Sequence, residues 1–221
     1  MQSEFWLERW QRNEIGFHQQ AFNAHLQEYW KHLRVPPEGP VFVPLCGKSR
    51  DMLWLRAQGH PIVGVEISAL ALRDFFAEHG LTAQHSSRPP FDIWQADGIE
   101  LLCGDFFDLA SSDLVSIAGV YDRASLIALP PPLRERYVAK LAEILPAQVE
   151  ALLVTMEYPQ GQMQGPPFSV SEEEVRALYD WHYQIDTLYT KDILAENPRF
   201  RERGLSYLVE KVYHLRPHTV A

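Results

Sequence analysis

"VFVPLCGKSRDMLWLRAQGHPIVGVEIS", residues 41–68, decides the fold. "VFVPL" is an apolar, β-branched run that reads as a buried strand. "KSRDMLWLRAQGH" has helical spacing and closes on Gly59, a left-handed cap residue. "PIVGVEI" reads as a second strand that ends in an acid, Glu66. Strand, turn, helix and strand in this order form the repeating unit of a parallel, doubly wound α/β sheet. Such sheets hold ligands beyond the C-terminal ends of their strands.

Three ligands compete for the turn at 44–49. "CGKS" ends like a nucleoside triphosphate loop, but that loop needs a glycine five residues before Gly47, where the chain has Phe42. A dinucleotide fingerprint needs three glycines, and Pro44 removes one amide donor. A nucleoside without a pyrophosphate needs only an open turn and an acid at the end of the next strand. Glu66 lies 19 residues beyond Gly47, close to the roughly 20 expected of a ribose-binding acid. A structural glutamate capping the following helix is the competing reading.

The alternation continues downstream. Ser68 is placed to cap "ALALRDFFAEHG", and a polar, proline-containing stretch covers 84–92. "DIWQADGIELLCGDFFDL" reads as a hairpin or short strands ending at Asp105. "LVSIAGVYDR" is a strand, "PPPLRERYVAKLAEIL" a helix that starts on prolines, and "EALLVTMEYP" a buried strand. Ser171 and Glu174 have capping-box spacing. "YQIDTLYTKDI" and "LSYLVEKVYHLR" suit an antiparallel pair. Residues 4–33 are helical in period, with Trp6 and Trp10 four apart, and are broken near Asn13 and Gly16.

The chain has 221 residues, 46% of them hydrophobic, and a formal net charge of −9, which argues for one soluble domain and against a nucleic-acid partner. Two cysteines, Cys46 and Cys103, make no disulfide framework and no zinc spacing, so no metal is expected. "MQSEFWLERW" does not read as a secretory signal, and no run approaches the roughly 20 apolar residues of a membrane span. A cytoplasmic monomer without membrane contact is the expectation.

The opening stretch closely resembles the first motif of the thiopurine S-methyltransferases. "FWLERWQRNEIGFHQ", "CGDFFDL", "YDRASLIALPP" and "GPPFSV" resemble further motifs of that family, in order, from about residue 4 to residue 215. The resemblance implies a class I methyltransferase fold: a mostly parallel, seven-stranded sheet with an antiparallel C-terminal pair and an N-terminal helical lid. It implies S-adenosylmethionine as donor and an aromatic or heterocyclic thiol as acceptor, and it links bacterial members to methylation of selenium and tellurium compounds. Residues 1–36 would form the lid, 41–150 the donor-binding core, and 151–221 the acceptor-side loop and last strands.

By matching motifs, Trp10, Leu45, Gly47, Glu66 and Arg123 would contact the donor, with Asp105 and Phe106 near its adenine. Arg123, Arg199, Phe168 and Trp6 would position the acceptor, with Phe17 completing an aromatic lid. From the residues alone, Trp10 could be core packing and Arg123 could be a partner of Asp122. His18 reads as ordering the N-terminal segment. Two other functions stay open: a small-molecule O- or N-methyltransferase, and a nucleoside-binding protein without turnover.

Overall fold

A computed structural model describes residues 3–16 and 18–218. Phe17 lies outside the described residues. Nine strands form one sheet: β1 (Val41–Val43), β2 (Ile62–Glu66), β3 (Gln84–Arg88), β4 (Phe91–Ala96), β5 (Ile99–Cys103), β6 (Gly119–Arg123), β7 (Glu150–Glu157), β8 (Tyr183–Asp192) and β9 (Val209–Pro217). Their spatial order is β3-β4-β5-β2-β1-β6-β7-β9-β8. The central five run parallel, and β9 and β8 close one side in antiparallel pairing.

Seven strands are expected from the sequence and nine are present. The hairpin read over residues 92–105 forms as β4–β5, and β3, in the polar stretch read without a strand, adds to it by antiparallel pairing with β4. All five residues of β3 are exposed, so this strand carries no apolar alternation to announce it. Its pairing comes from the backbone ladder with β4. The parallel core also runs on to Glu157 through β7, past residue 150.

The apolar runs of the central strands follow from burial on both faces. In β1, Phe42 faces a cluster with Val65, Leu102 and Val120, while Val41 and Val43 face another with Ile62, Leu101 and Leu152. Helices α3 (Asp51–Ala57) and α4 (Ala69–Glu78) cover the second face through Met52, Leu55, Leu72, Phe75 and Phe76. Helices α5 (Pro131–Ile144) and α6 (Glu172–Tyr179) cover the first through Tyr137, Val138, Leu141, Val175 and Tyr179. A Cβ on Gly64 of β2 would lie 2.7 Å from Leu101 and 2.9 Å from the Cys46 sulfur. That glycine lets the first turn close against the second strand.

The caps largely follow the sequence. Ser68 accepts from the Ala71 amide, and Gly59 and Gly80 take positive φ. Ser171 accepts from the Glu174 amide at 3.1 Å, but the Glu174 carboxylate turns to Arg134, so only half of a capping box forms. The N-terminal run divides into α1 (Ser3–Gln11) and α2 (Ala24–Tyr29), followed by a 3₁₀ turn at Trp30–His32. Asn13 has φ +54°, which stops α1. Among the described residues, no helix is long and apolar enough to cross a membrane.

Candidate active site

The strand order reverses between β1 and β6, and the turns beyond these two strands open into a cavity of about 520 Å³. The turn after β1 carries Leu45 at φ +44° and Gly47 at φ +52°; the turn after β6 carries Ala124 at φ +66°. Gly47 adopts this conformation freely, but Leu45 and Ala124 mark strain held by the surrounding packing, a common property of ligand sites.

Glu66 joins the turns after β1 and β2. One carboxylate oxygen accepts from the Gly47 amide at 3.0 Å, and the other from the Ser68 amide at 2.8 Å. The side chain is only 6% exposed. Burial pushes its pKa up to about 7, against the opposing pull of the Ser68, Gly47 and Ile67 amides. Each oxygen keeps a second lone pair, so this carboxylate can cap the turns and still accept hydroxyls from a ligand. Burial also raises the neighbouring thiols: Cys103 to about 11, and Cys46 well above its usual value.

Trp10 forms the wall opposite Gly47. A Cβ at Gly47 would lie 3.1 Å from the indole. Gly47→Ala therefore combines a left-handed penalty of about 1–2 kcal/mol with displacement of Trp10. The expected result is a lower melting temperature together with weaker donor binding. A variant that binds donor like the wild type would show that the ring does not define this wall.

Arg123 lines the cavity and does not pair with Asp122, the alternative that the residues alone left open. Asp122 accepts from the Tyr137 hydroxyl at 2.6 Å, on the core side of β6. The Arg123 guanidinium instead faces Asp51 at 3.8 Å. Alternation along a strand sends adjacent side chains to opposite faces, which separates Asp122 from Arg123. Asp51 is 2% exposed and also accepts from the Tyr121 hydroxyl at 2.9 Å and the Asn23 amide at 2.8 Å. It ties the N-terminal segment to the first turn and to β6.

Of the residues singled out from the sequence, Trp6, Trp10, Leu45, Gly47, Glu66, Arg123 and Arg199 line the cavity. Arg199, on α7 (Pro198–Glu202), donates to the Gly16 carbonyl at 2.5 Å. Phe168 is not among the lining residues: its ring lies 5.9 Å from the Arg134 guanidinium, while Pro166 and Pro167 bring that loop to the wall. Asp105 accepts from the Phe107 amide, and Phe106 packs on Tyr137 at 4.7 Å, so neither lines the cavity. His18 does line it, with its pKa lowered by burial and then by Lys48.

Sequence reasoning missed Asp51, Met156, Phe200 and Arg203. Only Asp51 had a signal, as an acid in a first helical turn. The cavity wall at Phe200 and Leu208 rests on a separate small core of Tyr158, Phe200, Leu205 and Leu208.

A sheet of this order, with an acid ending its second strand beside an open first turn, defines a class I S-adenosylmethionine-dependent methyltransferase fold. The S-adenosylmethionine-dependent methyltransferase of Anabaena variabilis superimposes with a TM-score of 0.63 at 13% identity, covering 98% of this chain and 95% of that one. The 1,6-didemethyltoxoflavin-N1-methyltransferase of Burkholderia thailandensis, solved with 1,6-didemethyltoxoflavin and S-adenosylhomocysteine, gives 0.62 at 14% identity, covering 98% and 87%. At such identities the likeness concerns the fold alone.

The chain belongs to the thiopurine S-methyltransferase family, whose model matches residues 1–218. The thiopurine S-methyltransferase of Nitrosospira multiformis is 52% identical over 219 residues, 99% of this chain and 100% of the relative. That of Pseudomonas entomophila is 50% identical, over 97% of this chain and 99% of the relative.

Proposed function

We propose that this protein transfers a methyl group from S-adenosylmethionine to the sulfur of aromatic or heterocyclic thiols such as thiopurines. The observation that carries this reading is the buried Glu66 carboxylate, held between two turns and facing the cavity with spare acceptor capacity. The donor set fits the nucleoside. Glu66 would accept its ribose hydroxyls, the turn at Leu45 and Gly47 leaves room for the backbone to approach it, and Trp10 supplies an aromatic wall. Arg123, held by Asp51, would face the amino-acid tail or the reacting sulfur. We place the adenine toward the end of β5, where Asp105 and Phe106 follow Gly104, whose amide donates to the Glu66 carbonyl at 3.0 Å.

The donor supplies a methyl group activated by a sulfonium. A thiolate lone pair forms the new S–CH₃ bond as the old C–S bond breaks, and the electron pair of that bond returns to the departing sulfur. A cation and an anion become two neutral molecules. The protein's main contribution is alignment, which can supply as much as about 7–11 kcal/mol. Trp6, Trp10, Pro166, Pro167 and Phe200 exclude water around the reacting atoms. No general base is required, because an aromatic thiol loses its proton to solvent more readily than cysteine, whose pKa is about 8.5. Selenium and tellurium compounds are softer nucleophiles that the same site would accept. We further propose that the protein acts as a cytoplasmic monomer, with 1–36 as lid, 41–150 as the donor-binding core and 151–221 as the acceptor side.

The test is calorimetric titration with S-adenosylhomocysteine beside NAD and ATP, followed by turnover of matched thiol, phenol and amine acceptors. Selective binding of the nucleoside with turnover of the thiol supports the reading. Binding without any turnover would leave a nucleoside-binding protein, and turnover of the phenol or amine alone would make it an O- or N-methyltransferase. Arg199→Ala should lower kcat/KM for the thiol about fivefold or more, because it removes a cation from the acceptor side and a hold on Gly16. Unchanged kinetics on every acceptor would remove Arg199 from the site.

A further inference from the structure

We infer that Glu210 is a specificity residue for the acceptor: it receives a ring N–H or amino group carried by the thiol, and His25 sets its direction. This rests on the methyl-transfer reading above and narrows its substrate class to thiols that also carry an N–H donor.

Four carboxylates line the cavity, those of Glu14, Asp51, Glu66 and Glu210. Three are committed to the protein. Glu14 lies 3.3 Å from Arg9, Asp51 accepts from the Tyr121 hydroxyl and the Asn23 amide, and Glu66 accepts from two amides. Glu210 differs. His25 on α2 donates from Nε2 to one of its oxygens at 2.7 Å, and the other oxygen has no partner among the described residues. The cations beside it on the sheet are answered elsewhere. Lys191, its cross-strand neighbour on β8, pairs with Glu196, and Lys211 with Glu157 at 2.9 Å. An ionised carboxylate only accepts, so the ligand group it suits is an N–H.

His25 is held in place by Tyr189 of β8 at 4.4 Å and by Tyr29 of its own helix at 6.1 Å. Its Nδ1 is buried without a partner among the described residues. A proton there would be a stranded buried donor, so Nε2 carries it and keeps Glu210 aimed as an acceptor.

Strand order puts Glu210 on the acceptor side. The donor reading seats the nucleoside at the turns after β1 and β2. Along the order β2-β1-β6-β7-β9, Glu210 on β9 stands roughly 19 Å from Glu66, at about 4.8 Å per strand. Arg123 pairs with Val154 on β7, and Val154 with Val212 on β9, two residues from Glu210. Side chains so related point to one face, so Glu210 shares the face of Arg123. Met156, its partner across β7, lines the cavity as well. A donor anchored at Glu66 leaves this end of the sheet to the acceptor, where a thioether and a carboxylate suit a flat ring with an N–H.

The experiment compares 4-aminobenzenethiol with 4-methylbenzenethiol, and the 3-substituted pair likewise, at saturating donor and a pH where all the thiols are ionised. The two members of a pair have nearly the same shape, and only one donates an N–H. Their intrinsic nucleophilicities cancel when variant and wild type are compared. In Glu210→Gln the amino-to-methyl ratio of kcat/KM should fall about fivefold for at least one pair, because a charge-assisted hydrogen bond becomes a neutral one. His25→Phe, which keeps a ring but removes the N–H, should lower the same ratio by a smaller factor. A purely structural role would depress both acceptors together and leave the ratio in place. Calorimetric affinity for S-adenosylhomocysteine should stay within about twofold in Glu210→Gln. Unchanged ratios for both pairs, or a loss of S-adenosylhomocysteine affinity that assigns Glu210 to the donor's ammonium group, overturns the inference while the methyl-transfer reading stands. Failure of the wild type to methylate any of the four thiols overturns both.

Discussion

Glu66→Gln is expected to weaken binding of S-adenosylhomocysteine by one to two orders of magnitude and to abolish the pH dependence of that binding between pH 6 and 8. Hydrogen bonds to a charged acceptor contribute about 1.5–3 kcal/mol, which converts to that range of affinity. Glutamine keeps the size of the side chain but replaces one acceptor oxygen with a donor, which faces either the Gly47 or the Ser68 amide. The wild-type group titrates near 7 because burial opposes its charge. Ribose hydroxyls are better accepted by the ionised form, so wild-type affinity should rise as pH passes through 7.

The stability change has the opposite direction. The folded pKa, about 7, lies above the unfolded value of 4.5, so the folded state holds the proton more tightly. That stabilisation is complete below 4.5 and is lost as pH rises through 7, an effect on the order of 3 kcal/mol. The wild type should therefore lose ground to Glu66→Gln across that window in urea unfolding. Asp122, also raised by burial, to about 6, affects both proteins alike and cancels in the comparison. The neighbouring thiols stay protonated throughout. Donor affinity that is flat with pH and unchanged in the variant would exclude Glu66 from the nucleoside site.

Asp51→Ala should be the most destabilising single change at the cavity, at about 3 kcal/mol or more. The substitution removes the acceptor from the Tyr121 hydroxyl and the Asn23 amide and leaves the Arg123 charge without its partner. Each buried donor deprived of a partner costs about 1–3 kcal/mol. Asp51→Asn separates charge from shape. It keeps an acceptor for Asn23 but sets a neutral amide against Arg123, so a smaller stability loss should accompany a clear rise in KM. Urea denaturation and steady-state kinetics on the two variants check this. If alanine costs less than about 0.5 kcal/mol, the carboxylate is not what secures the N-terminal segment.

The parallel core was legible because its signals are local. "VFVPL" and "PIVGVEI" are continuous apolar runs because both faces of a central parallel strand are buried, and Ser68, Gly59 and Gly80 mark helix ends through the chemistry of a single residue. Strand β3 was not legible, since "QHSSR" is exposed on every side chain and only its ladder to β4 makes it a strand. The partner of Arg123 was not legible in sequence for a related reason: its neighbour Asp122 points to the opposite face of β6, and the carboxylate that faces it, Asp51, is 72 positions away.

The sequence by itself determined the strand–helix alternation, the open turn at Gly47 and the acid at Glu66. Each depends on periodicity or spacing within a few dozen residues. Tertiary structure alone decided that Asp51 would be a buried hub, that Arg199 would reach Gly16 across 183 positions, and that Arg203 would join the cavity. Burial and convergence arise when distant segments pack together, and no local pattern encodes which exposed-looking charge will end beside another.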